Sequence, residues 1–211
     1  IEGTNFTGSL LVGHSTTGTL DNAFYNTALG IGALDALTTG DYNIAIGYNA
    51  GTLLATGGSN TLIGALAGDS LTGGDGNVVI GKSAMGSADG TESNNVAIGF
   101  SALSAMNNNA SNYNTAVGYN AGTSVTTGVY NTILGGLAGD ALTTGDRNVS
   151  LGYLALSAED TGNRNVAIGA EALLVANNNA NNYNTAVGDS AGESVSSGTQ
   201  NTIIGGLAGD Q

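Results

Sequence analysis

The chain has 211 residues with 36 Gly, no Pro and no Cys, and only 9 % of it is charged, yet its formal net charge is −13. Lys82, Arg147 and Arg164 are its only Lys and Arg residues, too few to neutralise phosphates, which argues against nucleic acid and an anionic membrane surface as partners. Without Pro the glycine content is not that of collagen, and without Cys there is neither a disulfide staple nor a thiolate metal site.

No apolar run approaches the roughly 20 residues of a membrane span, so no membrane insertion is expected. No stretch of residues 1–211 reads as a signal peptide, and one could precede Ile1. The chain opens at Ile1 and its last repeat stops at Gln211, which reads as a fragment of something longer. The acidity is expected to keep an otherwise uncharged rod soluble.

From the N-terminus onward the chain repeats Asn-x-x-(Ile/Val/Leu)-Gly. The first copy, Ser9 to Gly13, is degenerate. Full copies follow from Asn26 to Gly30, then Asn43 to Gly47, Asn60 to Gly64, Asn77 to Gly81, Asn95 to Gly99 and Asn114 to Gly118. They continue from Asn131 to Gly135, Asn148 to Gly152, Asn165 to Gly169, Asn184 to Gly188 and Asn201 to Gly205. The step is 17 residues, except 18 after Asn77 and 19 after Asn95 and after Asn165. A fixed short period means one unit stacked on itself. It predicts a single continuous array over residues 1–211: an all-β parallel β-roll or β-solenoid of about 12 coils, and not a pocketed enzyme. At about 4.8 Å per coil the rod would be roughly 55–60 Å long.

Within a copy, Ile44 and Ile46 alternate with Ala45, the period of a short strand. Asn43 and Gly47 bracket it as corner residues, since both types tolerate left-handed backbone. Ala stands three residues after every corner Gly from Ala33 onward, which suggests tight packing there. Turns such as Thr38-Thr39-Gly40-Asp41 read as the return path. A strand with one wet face shows polar residues between its two β-branched positions. That place reads Leu11, Ala28, Ala45, Leu62, Val79, Ala97, Ala116, Ile133, Ser150, Ala167, Ala186 and Ile203, almost all apolar. Both faces therefore read as buried. A coil this short cannot cover both by itself, so the second face is expected to pack on other chains. Stacked Asn and stacked Thr suggest side-chain ladders.

A larger period overlays the first. Asn112 through Gly118 recurs unchanged at Asn182 through Gly188, 70 residues or four coils on. The two extra residues of these Asn-rich coils are expected to bulge outward. Asn107, Asn109 and Tyr113, with Asn177, Asn179 and Tyr183, are the candidate surface-contact loops, where amides and Tyr rings would meet a sugar or other cell-surface receptor. A covering Tyr over a solvated loop is the plainer reading.

Other candidates are thin. His14 is the only His, and a triad needs a base held by a third group. Glu159-Asp160 is the only adjacent acidic pair, and adjacent residues point apart, which disfavours a glycosidase pair. Gly74-Asp75-Gly76-Asn77 lacks the spacing of Ca²⁺-binding repeats. Asn5, Asn109 and Asn148 head formal glycosylation sequons, expected by chance here. A Thr lattice for ice binding is disfavoured because those Thr share a strand face with Ile and Val. No catalytic residue, cofactor or metal is assigned.

The pentapeptides NVAIG, NTAVG and NTIIG, the Ala three residues on and the TTGD turns resemble trimeric left-handed β-roll fibre repeats. Two groups carry them: phage tail-fibre shafts, often ending in an S74-type chaperone, and YadA-like heads of trimeric autotransporter adhesins. The likeness covers about nine-tenths of the chain. The opening Phe6 to Gly13 and the NTALG cadence look more like the phage fibres, and YadA-like heads use a shorter coil with Ser after the Asn. The resemblance implies a left-handed homotrimer, intertwined or side by side. It would be a tail-fibre shaft or head segment of a virion, presenting a receptor-binding tip for host attachment. The alternatives are a bacterial surface adhesin that binds matrix or glycan, and a polysaccharide-cleaving tailspike.

Overall fold

The computed structural model describes residues 8–13, 21–88, 90–177 and 181–210. The chain divides into two compact units, Ile1–Asn112 and Tyr113–Gln211. Each is a parallel β-solenoid whose coils advance mostly by 17 residues. In the first unit β1 (Leu10–Val12), β2 (Thr27–Leu29), β3 (Ile44–Ile46), β4 (Thr61–Ile63), β5 (Val78–Ile80) and β6 (Val96–Ile98) pair in chain order. In the second, β7 (Thr115–Val117), β8 (Thr132–Leu134), β9 (Val149–Leu151), β10 (Val166–Ile168), β11 (Thr185–Val187) and β12 (Thr202–Ile204) do the same. The register never slips: Thr27 lies opposite Ile44, Ala28 opposite Ala45 and Leu29 opposite Ile46.

The corner glycines are fixed by the stack itself. Gly47 has φ 137°, and a Cβ there would sit 2.5 Å from the carbonyl oxygen of Gly64 in the next coil. Every corner Gly from Gly30 to Gly188 falls between 133° and 144°, a conformation that L side chains avoid. The expected role of the corner Asn is corrected. The left-handed residue is the one before it: Tyr25 (φ 59°), Tyr42 (φ 60°) and Ser59 (φ 60°) in the first unit, Tyr130 (φ 61°) and Arg147 (φ 58°) in the second. Asn is there for its amide.

That amide is buried and forms a ladder. The backbone N–H of Asn43 donates to Oδ1 of Asn26 at 2.9 Å, and Asn43 Nδ2 donates to the same oxygen at 3.1 Å. Asn43 Nδ2 also donates to the carbonyl of Gly57 at 2.8 Å, tying the start of the coil to its return path. The pattern repeats at Asn60 and Asn77, and in the second unit at Asn131, Asn148, Asn165 and Asn201. In the degenerate first copy Ser9 takes over, its Oγ accepting the N–H of Asn26 at 2.7 Å.

The residue between the two β-branched positions is the inward one. Ala28, Ala45, Leu62, Val79 and Ala97 are buried in the first unit, as are Ala116, Ile133, Ser150, Ala167 and Ala186 in the second. The sequence reading had this face turned to other chains. The middle residue of each strand faces the coil interior, whether Ala, Val, Leu or Ile, and the two flanking residues turn outward. Ala33, Ala50, Ala67, Ala84 and Ala102 pack beside it with no exposed surface, as do Ala121, Ala138, Ala155, Ala172 and Ala191. The tight packing expected at Ala is present.

Core volume is traded between coils, and this gives the four-coil period a cause. The inward strand residue faces the position four after the corner Gly. Successive coils of the first unit pair them as Ala28 with Leu34, Ala45 with Gly51, Leu62 with Gly68, and Val79 with Met85. The second unit reads Ala116 with Gly122, Ile133 with Gly139, Ser150 with Leu156, and Ala167 with Leu173. A Cβ on Gly51 would lie 2.5 Å from Cδ1 of Leu62, and one on Gly68 3.1 Å from its Cδ2. One bulky side chain thus fills space left by two glycines, as close packing requires.

Candidate interaction surfaces

Turning the β-branched pair outward leaves an apolar stripe on each unit. In the first unit Leu10, Val12, Leu29 and Ile44 stand on it, bordered by Tyr25 and Tyr42 before the strands and by Ile31 and Tyr48 after the corners. These eight side chains are 41 to 69 % exposed. Thr27 and Thr61 share the stripe with them, so the Thr row is mixed with large apolar residues and partly covered. The second unit continues the motif with Thr132, Leu134, Thr202 and Ile204 exposed.

The exposed aromatics stack by register. Tyr25 and Tyr42 are 5.0 Å apart and 17° from parallel, and Tyr113 and Tyr130 are 5.6 Å apart at 5°. The three bases sit on rings: Lys82 over Phe100 at 5.9 Å, Arg147 over Tyr130 at 5.2 Å and Arg164 over Tyr183 at 5.5 Å. Arg164 also donates to Oδ1 of Asn181 in the next coil. Exposed cation–π contacts contribute about 0.5–1 kcal/mol each.

The insertion loops point both ways. Asn107, Asn109 and Tyr113 are exposed, as are Asn177 and Tyr183. Asn179 lies outside the described residues, as do His14 and Asn5. The same loops also reach inward. Glu92 is fully buried, and its carboxylate accepts backbone N–H groups from Asn108 and Asn109 at 3.0 Å and from Gly90 at 3.2 Å. Asn112, the buried residue of the insertion, donates to Asn108 Oδ1 at 2.7 Å. In the second unit the buried carboxylate is Glu159, bonded by Gly162 N–H at 2.8 Å and Asn182 Nδ2 at 2.7 Å. Glu159 occupies a core position filled by Leu142 one coil earlier. It is closed off from solvent and from any shared groove with Asp160.

Other acids cap backbone. Asp41, Asp75 and Asp146 accept the N–H of Phe24, Gly58 and Val129 in the preceding coil at 2.7 to 2.8 Å. Asp75 is thereby a turn residue. Burial pushes the carboxyls of Asp69 and Asp140 above their usual range, against weaker hydrogen bonds that lower them. Among the described residues no group of three or more His, Asp or Glu is assembled as a metal site, and no helix is long and apolar enough to cross a membrane. Asn148 of the third sequon is buried in the ladder.

No protein-family model, curated protein or solved structure matches this chain. Its surfaces therefore speak only through their own chemistry. Glu92, the burial of Glu159 and the volume trade were missed from sequence. The signal available for each was a departure from the repeat: an acid where neighbouring coils carry Gly or Leu, and a Gly–Leu alternation across four coils.

Proposed function

We propose that this chain is a structural fibre segment that assembles as a homotrimer through its outward strand faces. In this reading it is a shaft or head segment of a viral tail fibre and holds a receptor-binding tip away from the particle. One observation carries it: the half-exposed apolar stripe. Eight large apolar side chains on the first unit alone put that patch at or above the roughly 300–600 Å² usual for the largest patch on a monomer. Such a face calls for a partner, and the in-register strands make it self-complementary in composition. The number three and the viral setting come from the resemblance of the repeat. The role is mechanical, resting on continuous backbone and amide ladders, and it includes no chemical step.

Sedimentation equilibrium of the 211-residue chain tests the assembly. A three-chain species is expected. Leu29→Lys with Ile44→Lys should dissociate it while the far-ultraviolet spectrum stays that of a β protein. A stable wild-type monomer would overturn the trimer.

The row of exposed Tyr113, Tyr130, Arg147 and Tyr183 with half-buried Arg164 favours a second reading, a bacterial surface adhesin that grips glycan or matrix along its side. The gene sequence downstream separates the two. An S74-type chaperone supports the tail fibre, and a coiled-coil stalk with an outer-membrane anchor supports the adhesin.

A further inference from the structure

The first unit contains a recess of about 290 Å³ lined by Asp69 and the serines Ser83, Ser87, Ser101 and Ser104. Leu66 and Gly86 complete it, and none of its residues lies in a strand. The second unit holds an internal control, because the four-coil period places equivalent residues in the same setting. Leu66 and Asp69 recur as Leu137 and Asp140. The rest change: Ser83 becomes Leu154, Gly86 becomes Ser157, Ser87 becomes Ala158, Ser101 becomes Glu171 and Ser104 becomes Leu174.

Most of these changes replace a serine by a larger or less polar residue. In the second unit leucines stand at two of the equivalent places, and the Ser157 side chain hydrogen-bonds Asp140. In the first unit Gly86 withholds that hydroxyl, and a Cβ added to it would lie 3.4 Å from Oδ1 of Asp69. Asp69 Oδ1, like Asp140 Oδ1, is buried without a hydrogen-bond partner among the described residues; what Asp69 lacks is the serine that bonds the Asp140 carboxylate. The backbone is not the reason for the difference: Ser83 and Leu154 have φ of 56° and 55°. The equivalent places thus carry two leucines and a serine bonded to its aspartate in one unit, and a glycine and four serines in the other.

We propose that this recess binds one ring of a neutral saccharide, whose hydroxyl takes the place beside Asp69 that Ser157 fills beside Asp140. A carboxylate with several hydroxyls matches a polyhydroxylated ligand, which both donates and accepts. A divalent cation would need more oxygen charge than one carboxylate supplies, and an anion would face Asp69. The volume lies at the lower end of the roughly 300–1,000 Å³ of small-ligand sites, a size for one ring. The inference goes beyond the fibre reading and does not depend on it, since every lining residue is within one unit of one chain.

Saturation-transfer NMR and calorimetric titration of the 211-residue chain with methyl glycosides of glucose, galactose, mannose and N-acetylglucosamine test it. At least one should bind with a dissociation constant on the order of 1 mM. Gly86→Ser supplies the protein's own hydroxyl, and Ser83→Leu with Ser104→Leu fills the space. Both copy residues that the second unit already tolerates, and both should weaken binding at least about tenfold with the spectrum and sedimentation of the wild type unchanged. If none of the four glycosides binds, if the filled variants bind as wild type does, or if calcium chloride alone titrates the recess, the proposal is wrong. A monomeric wild type that still binds would refute the trimer and leave the recess standing.

Discussion

Replacing Asn60 cuts the amide ladder at a point where every bond is accounted for. Its Oδ1 accepts the N–H of Asn77 at 2.9 Å and Asn77 Nδ2 at 3.0 Å, while its own Nδ2 donates to the Gly74 carbonyl at 2.7 Å. Asn60→Ala strands the buried Asn77 N–H and the Gly74 carbonyl. At about 1–3 kcal/mol for each unsatisfied buried group, the loss is about 2–6 kcal/mol. Asn60→Ser keeps an acceptor for Asn77, as Ser9 does for Asn26, and leaves only Gly74 unpaired, so about 1–3 kcal/mol is lost. Asn60→Asp keeps that acceptor too, but sets a buried carboxylate oxygen against the Gly74 carbonyl, two acceptors face to face. It should be the least stable of the three at neutral pH. Guanidinium unfolding followed by circular dichroism, at one fixed chain concentration, gives the order. Amide exchange at Asn77 should quicken in the Ala variant and much less in the Ser variant. The reasoning fails if the Ala variant lies within about 0.5 kcal/mol of wild type, or if Asp is tolerated as well as Ser.

Leu62→Ala empties the space bounded by Gly51 and Gly68 and should cost about 2–5 kcal/mol in the same unfolding assay; a smaller loss would mean that the coils collapse into the gap. Glu92→Gln turns a three-bond acceptor into a group with one fewer acceptor oxygen. It should cost about 2–4 kcal/mol and speed amide exchange at Asn108 and Asn109, while exchange at Ile46 and other strand positions stays slow. Asp69 and Asp140 have folded-state values raised above the ordinary 3.8, so the folded state favours their protonated forms. The penalty is present at neutral pH and is relieved as pH falls through the raised values. Asp69→Asn should therefore raise the melting temperature at pH 7, with the gain shrinking to nothing near and below pH 3.8. A gain that grows as pH falls would show that the sign is wrong.

Strand positions, corner glycines and the packing of Ala were legible because each is a repeated steric demand. Which strand face points inward was not. Ala45 and Ile44 are both apolar, and in other coils Leu62 and Ile133 take the inward place, so neither polarity nor size marks it. The Asn was read as a turn residue because its two talents, left-handed backbone and a buried amide, leave the same letter in the sequence. The left-handed places went instead to Tyr42, Leu66 and Arg147, types whose propensities would never nominate them. Glu92 was invisible because a single acid in one coil has no period. Only the extra loop wrapped over it, with the N–H groups of Asn108 and Asn109, explains why its burial is tolerated.

The trade of volume between Leu62 and its two flanking glycines sets a rule for how such a protein can grow. Deleting one coil would bring a Leu to a neighbour that has made no room for it, or leave two small coils face to face around a void. Removing or duplicating a block of four keeps a bulky residue beside the coils that made room for it, with Ile133 standing where Leu62 does. The number of coils in such a stack is therefore expected to change in blocks of four rather than one at a time.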